Sequence, residues 1–126
     1  MAYRKFGGAR NKYGAKKSDG YDSKKEHCRA NELKLMQSAG LISDLREQVP
    51  YELIPAQYGK GISPRTGEPK NRMCLERSCR YVADFVYRDN ETGDVVVEDV
   101  KGMRTKEYVI KRKLMLFRHG IKIKEI

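Results

Sequence analysis

Apolar residues first recur at helical spacing between Asp22 and Ala39, where Ala30, Leu33 and Ala39 fall on one stripe. Asp22 or Ser23 can cap the start and Gly40 the end, so the pattern predicts a first helix over 22–39. The period then shortens. "QVPYELIP" reads as a strand from Glu47 to Ile54, and Pro50 suits an edge or a strand end because proline has no N–H to give to a ladder. Ser78–Tyr87 and Val95–Lys101 are rich in β-branched and aromatic residues and are joined by "RDNETGD", which predicts a hairpin. Helical spacing returns over Thr105–His119, with Ile110, Leu114 and Phe117 on one stripe and Gly120 as the stop. "IKIKEI" closes the chain as a short alternating strand. The predicted order, α-β-β-β-α-β, implies an α/β (α+β) fold with a mixed sheet flanked by helices. Its last strand follows a helical crossover and runs parallel to a neighbour.

Two stretches carry neither period. Residues 1–21 hold six Lys/Arg against one Asp, with Tyr3, Phe6, Tyr13 and Tyr21 scattered among glycines. This is too little apolar material to pack alone, and it reads as a basic flexible arm or a short hairpin ahead of a domain over 22–126. Pro55–Arg77 is rich in Gly, Pro and basic residues and long for a connection in a compact domain, as functional or disordered loops are.

Composition narrows the setting. A chain of 126 residues builds one domain, and 39% hydrophobic with 35% charged residues describes a large polar surface. No apolar run approaches the roughly 20 residues of a membrane span, and "MAYRKFGGAR" lacks the apolar stretch of a signal peptide, so a cytoplasmic protein is expected. The net charge of +10 points to a polyanionic partner, nucleic acid first. A basic tail that aids solubility, or a ribosomal or membrane-surface role, is the alternative. Cys28, Cys74 and Cys79 cannot all pair within one chain and are expected as reduced thiols; with His27 they make only a weak zinc pattern.

The candidate chemistry lies in "VVVEDVKG", residues 95–102. If the hairpin is symmetric about its turn, with Asp89 opposite Asp94, then Asp84 falls opposite Asp99. Period two puts Lys101 on the face of Asp99 and Glu98 on the other, so Glu98→Gln should be nearly silent. Two opposed carboxylates repel unless a cation offsets them. Mg²⁺ takes oxygen ligands and keeps several waters, and Lys101 could orient or deprotonate such a water. A salt bridge at a sheet edge is the structural alternative. Glu26 precedes Ala30 by four residues and Leu33 by seven, which aims a third carboxylate at the sheet; alternatively "SKKE" is a capping box in which Glu26 bonds back to Ser23. Gln48, on the first strand, is a weaker candidate for positioning water or substrate, with a plain surface amide as the alternative.

An acidic first helix, "ADF" with Asp84, "EDVKG" with Asp99 and Lys101, a basic helix and a final strand together resemble the PD-(D/E)XK nuclease superfamily. More narrowly, "YDSKKE", "YVADFVY", "VVVEDVKG" and "KRKLMLFRHGIKIKEI" are similar to a small family of restriction-endonuclease-like proteins from phages and prophages. The resemblance implies a restriction-endonuclease-like core. It implies that Asp84, Asp99 and Glu26 bind Mg²⁺ or Mn²⁺, and that Lys101 is the catalytic lysine beside them. Ala83 departs from the motif, standing where its name expects proline. Lys60, Arg65, Lys70 and Arg72 in the long connection, with Lys106, Lys111 and Lys113 on the second helix, are expected to track a DNA backbone. Small phage enzymes of this superfamily include junction-resolving endonucleases. The resemblance therefore implies a metal-dependent endonuclease for branched DNA such as Holliday junctions, working in phage DNA metabolism inside a bacterial host. A homodimer is expected because two strands need cutting. A nicking or general endonuclease of phage replication or packaging, and a non-catalytic basic DNA-binding protein, are the alternatives.

Overall fold

The computed structural model describes residues 23–100 and 104–126, so the arm assigned to 1–21 lies outside the described residues. The first helix, α1, runs Lys24–Ser38. Ser23 caps it from extended backbone, its Oγ accepting the Glu26 N–H at 3.0 Å, and Glu26, Ala30 and Leu33 form the buried stripe. Ala39, expected on that stripe, is the exposed C-cap.

Strand β1 covers Ile42–Ile54 and starts earlier than its alternation suggested. Ile42 and Leu45 pack toward α1, but Asp44 between them has φ of 56° and the register shifts between Ser43 and Arg46. That irregularity breaks the period of two and hid the strand's first half. The long connection is also ordered: β2 (Gln57–Ile62) and β3 (Pro69–Glu76) form a two-stranded antiparallel ribbon. Strand β4 (Cys79–Asp89) and strand β5 (Val95–Asp99) make the expected hairpin, followed by α2 (Lys106–His119) and β6 (Lys124–Glu125).

The main sheet has the order β1-β4-β5-β6. Its first three strands are antiparallel neighbours, and β6 lies parallel to β5 after the α2 crossover, as expected. Pro50 stands on the edge strand β1, where its missing N–H costs no central ladder bond. The ribbon is an insertion between β1 and β4, so the expected α-β-β-β-α-β core is preserved around it.

Two apolar clusters pack the sheet. Ala30 and Leu33 of α1 meet Ile42, Phe85 and Tyr87. Tyr108 and Met115 of α2 meet Leu53, Tyr81, Ala83, Val86, Val97 and Ile123. The inner stripe of α2 therefore differs from the expected one: Leu114 packs against the core, but Ile110 is exposed and Phe117 is 87% exposed. Apolar residues ring this helix, and Tyr108 and Met115, seven apart, set the inward face. Gly120 ends α2 at φ of 68°, the left-handed conformation that the expected stop requires. No helix among the described residues is long and apolar enough to cross a membrane.

Candidate functional site

Phe85 opposite Glu98 and Val86 opposite Val97 are the register in which Asp84 comes opposite Asp99. Beyond the Phe85–Glu98 pair, the Asp84 side chain takes over the ladder's partner: its Oδ2 accepts the Val100 N–H at 2.8 Å. Asp84 also lies where β4 changes its packing. Tyr81 and Ala83 join the α2 cluster, whereas Phe85 and Tyr87 join the α1 cluster, although strict alternation would keep all four on one face. On the adjoining strand, Gln48 has φ of 54°, left-handed backbone that a non-glycine residue seldom adopts. The Gln48 amide donates to Glu26 Oε2 at 3.0 Å and to Asp84 Oδ1 at 3.4 Å. A helix carboxylate and a strand carboxylate are thus joined by one side chain from β1.

Asp84 and Asp99 line one cleft of about 250 Å³, walled also by Arg80, Tyr81, Tyr108 and Lys111. Asp99 is only 2% exposed, and its Oδ2 accepts the Tyr81 hydroxyl at 2.5 Å. Burial, then the bond to Asp99, raises the Tyr81 pKa well above the usual tyrosine value, so Tyr81 keeps its proton and acts as a donor. Carboxylate oxygens suit a hard cation such as Mg²⁺ or Mn²⁺. Among the described residues, no three carboxylate, histidine or cysteine side chains are drawn into one metal-binding group. The expected ligands instead fall into two linked pairs, Glu26 with Asp84 through Gln48, and Asp84 with Asp99 across the cleft. Lys101 lies outside the described residues.

Glu98 faces away from Asp99, as expected, but it is not idle. It is fully enclosed, and both its oxygens accept from Arg29, Nε at 2.9 Å and Nη2 at 2.7 Å, while Oε2 also accepts the Tyr87 hydroxyl. The bond to Glu98 raises the Arg29 pKa above its usual value against the effect of burial. Burial first, then Glu98, raises that of Tyr87. Glu98 is therefore a structural charge fastening α1 to β5, so replacing it costs stability, while its place on the face away from Asp99 is the one the expected register gives it.

The expected DNA-contacting residues divide between two places. Lys60, Arg65, Lys70 and Arg72 are exposed on the β2–β3 ribbon and its turn. Lys106 and Lys113 are exposed on α2, whereas Lys111 lines the cleft and lies 3.7 Å from Glu107. The three cysteines are free thiols. Tyr81, Arg80 and Arg29 escaped the sequence reading. Tyr81 alternates with Ala83 ahead of Asp84, but nothing local announces that its hydroxyl reaches Asp99 across the hairpin.

No curated protein and no solved structure matches the chain. A family model described as "Protein of unknown function (DUF1064)" matches residues 10–124, nearly its whole length, and the chain accordingly belongs to the DUF1064 family.

Proposed function

We propose that the protein is a metal-dependent DNA endonuclease of the PD-(D/E)XK type acting on branched DNA. The observation that carries this reading is the meeting of Asp84 and Asp99 in a cleft flanked by Arg80 and Lys111, with Glu26 tied to Asp84 through Gln48. Asp84 and Asp99 would hold a divalent cation, Mg²⁺ or Mn²⁺, which when bound acts as a Lewis acid and lowers the pKa of water. The protein's own groups do the rest. Arg80 and Lys111 offset phosphate charge at the cleft wall, and the Tyr81 hydroxyl fixes the orientation of the Asp99 carboxylate. Gln48 holds Glu26 and Asp84 together, and Lys101, two residues beyond Asp99 in the sequence, would orient the attacking water or, as the neutral amine, take its proton.

Exchanging the carboxylates tests the reading. Asp84→Asn and Asp99→Asn should each lower phosphodiester cleavage by at least about 100-fold while DNA binding is kept or tightened, since a negative charge near phosphate is removed. Joint loss of folding and binding would make the pair structural. One observation favours the competing reading of a DNA-binding protein without hydrolysis: Asp84 accepts from Val100 and Asp99 from Tyr81, so both carboxylates have donors inside the fold. That reading predicts salt-sensitive binding and no cleavage in either metal. Four-way junctions compared with linear duplex separate a junction enzyme from a nicking or general endonuclease. A homodimer, needed to cut two strands together, is read directly by light scattering.

A further inference from the structure

Among the described residues the β2–β3 ribbon stands apart: its strands pair with each other and make no substantial packing with any other described helix or strand. A lone two-stranded sheet is marginal in water, so what this one presents needs an explanation. Its apolar side chains do not amount to a core. Leu75 and Met73 lie across β2, their side-chain ends over Gly59 and Gly61, where an added Cβ would come within 2.8 and 2.7 Å and push them aside. Leu75 stays 53% exposed and Tyr58 51% exposed. The Arg72 guanidinium stacks 4.1 Å from the centre of the Tyr58 ring, a cation–π contact that holds both rotamers.

Charge says what covers it. Between Pro55 and Ser78 there are five basic residues, Lys60, Arg65, Lys70, Arg72 and Arg77, against Glu68 and Glu76. Among the described residues no carboxylate pairs with Lys60, Arg65, Lys70 or Arg72. The six-residue β2 makes the arm about 20 Å long, and a two-stranded ribbon is one of the two elements that fit the major groove of B-DNA, about 12 Å wide. The arm is rooted between Ile54 and Cys79, which pair at the end of the main sheet, and Arg80, the next residue, already lines the cleft.

We propose that the β2–β3 ribbon is a duplex-gripping arm that lies in the major groove of a DNA segment next to the cleft, with Lys60, Lys70 and Arg72 on the phosphates and Tyr58 braced by Arg72. The proposal rests on DNA being the partner, as argued above, and extends that reading by assigning the surface that holds the duplex.

The test is binding in the presence of a chelator, so that hydrolysis plays no part. Fluorescence anisotropy on a labelled linear duplex over a range of potassium chloride compares the full chain with its Lys60→Ala/Lys70→Ala/Arg72→Ala variant. The variant should bind at least about 10-fold more weakly, with a log–log salt slope shallower by about 2 to 3 units. Lys60→Arg/Lys70→Arg should keep both values, which guards against a folding defect. Dimethyl sulfate should be blocked at guanine N7 by the native chain and regain access with the triple variant. An unchanged slope and affinity would overturn the arm. Displacement of the protein by a minor-groove ligand would also overturn it, as would a change of oligomeric mass in the triple variant, which would mark the ribbon as a self-association element. The two readings fail separately: native protein that binds and protects the duplex yet never cuts sinks the nuclease alone, whereas full cleavage with a ribbon variant that binds normally sinks the arm alone.

Discussion

Glu98 and Asp99 are neighbours in β5 and both are buried, yet they face opposite helices. Glu98, fully enclosed, neutralises Arg29 of α1, which also bonds the exposed Glu32, and removing the enclosed carboxylate breaks the buried half of that network. Glu98→Gln should therefore lower unfolding free energy by on the order of 3 kcal/mol in urea titrations, a loss that a surface position would not show. Gln48 carries a different strain. At its φ of 54° a Cβ is disfavoured, so Gln48→Gly should be more stable than Gln48→Ala by about 1 kcal/mol. On the proposed nuclease reading both variants should lose cleavage equally, because both lack the amide that joins Glu26 and Asp84. Equal stabilities would remove the argument from backbone strain. The Asp84–Asp99 pairing was legible in the sequence because a short hairpin fixes its own register. The Glu98–Arg29 contact was not, since its partners lie 69 residues apart and no local pattern links them.

At the scale of elements, α1, the hairpin and the β5-α2-β6 crossover follow from period, caps and stops, each of which acts within a few residues. The ribbon did not, because glycine, lysine and proline carry no strand signal. The inner face of α2 was misjudged for a related reason: Tyr108 turns inward with a hydroxyl that donates to Glu125 of β6 at 2.7 Å. That hydroxyl first, then Arg112 and Arg104, holds Glu125 below the ordinary glutamate value of 4.5. A carboxyl whose folded pKa is lowered contributes stability above its unfolded value and loses it as pH falls through the folded one. Native protein should therefore lose stability more steeply than Glu125→Gln as pH falls below the ordinary glutamate value of 4.5, as measured by thermal melts across an acid series. Parallel curves would show that this junction contributes nothing. At the other end of the crossover, Gly120→Ala should cost about 1 kcal/mol, because alanine resists the left-handed C-cap.

For the whole molecule, the chain carries a net charge of +10, and the described residues form a sheet-and-helix body with a cleft that holds Asp84 and Asp99 and a basic ribbon. On the proposed reading a polyanion is drawn to the basic ribbon, and the cleft is where a cation would relieve the two carboxylates. The central claim is that these carboxylates serve hydrolysis. Its most direct test is cleavage of labelled four-way junction, flap and linear duplex DNA in Mg²⁺, in Mn²⁺ and in chelator, with Lys101→Ala alongside. The account predicts metal-dependent cutting that favours the junction and disappears in Lys101→Ala; tight binding with no cutting of any substrate in either metal would contradict it.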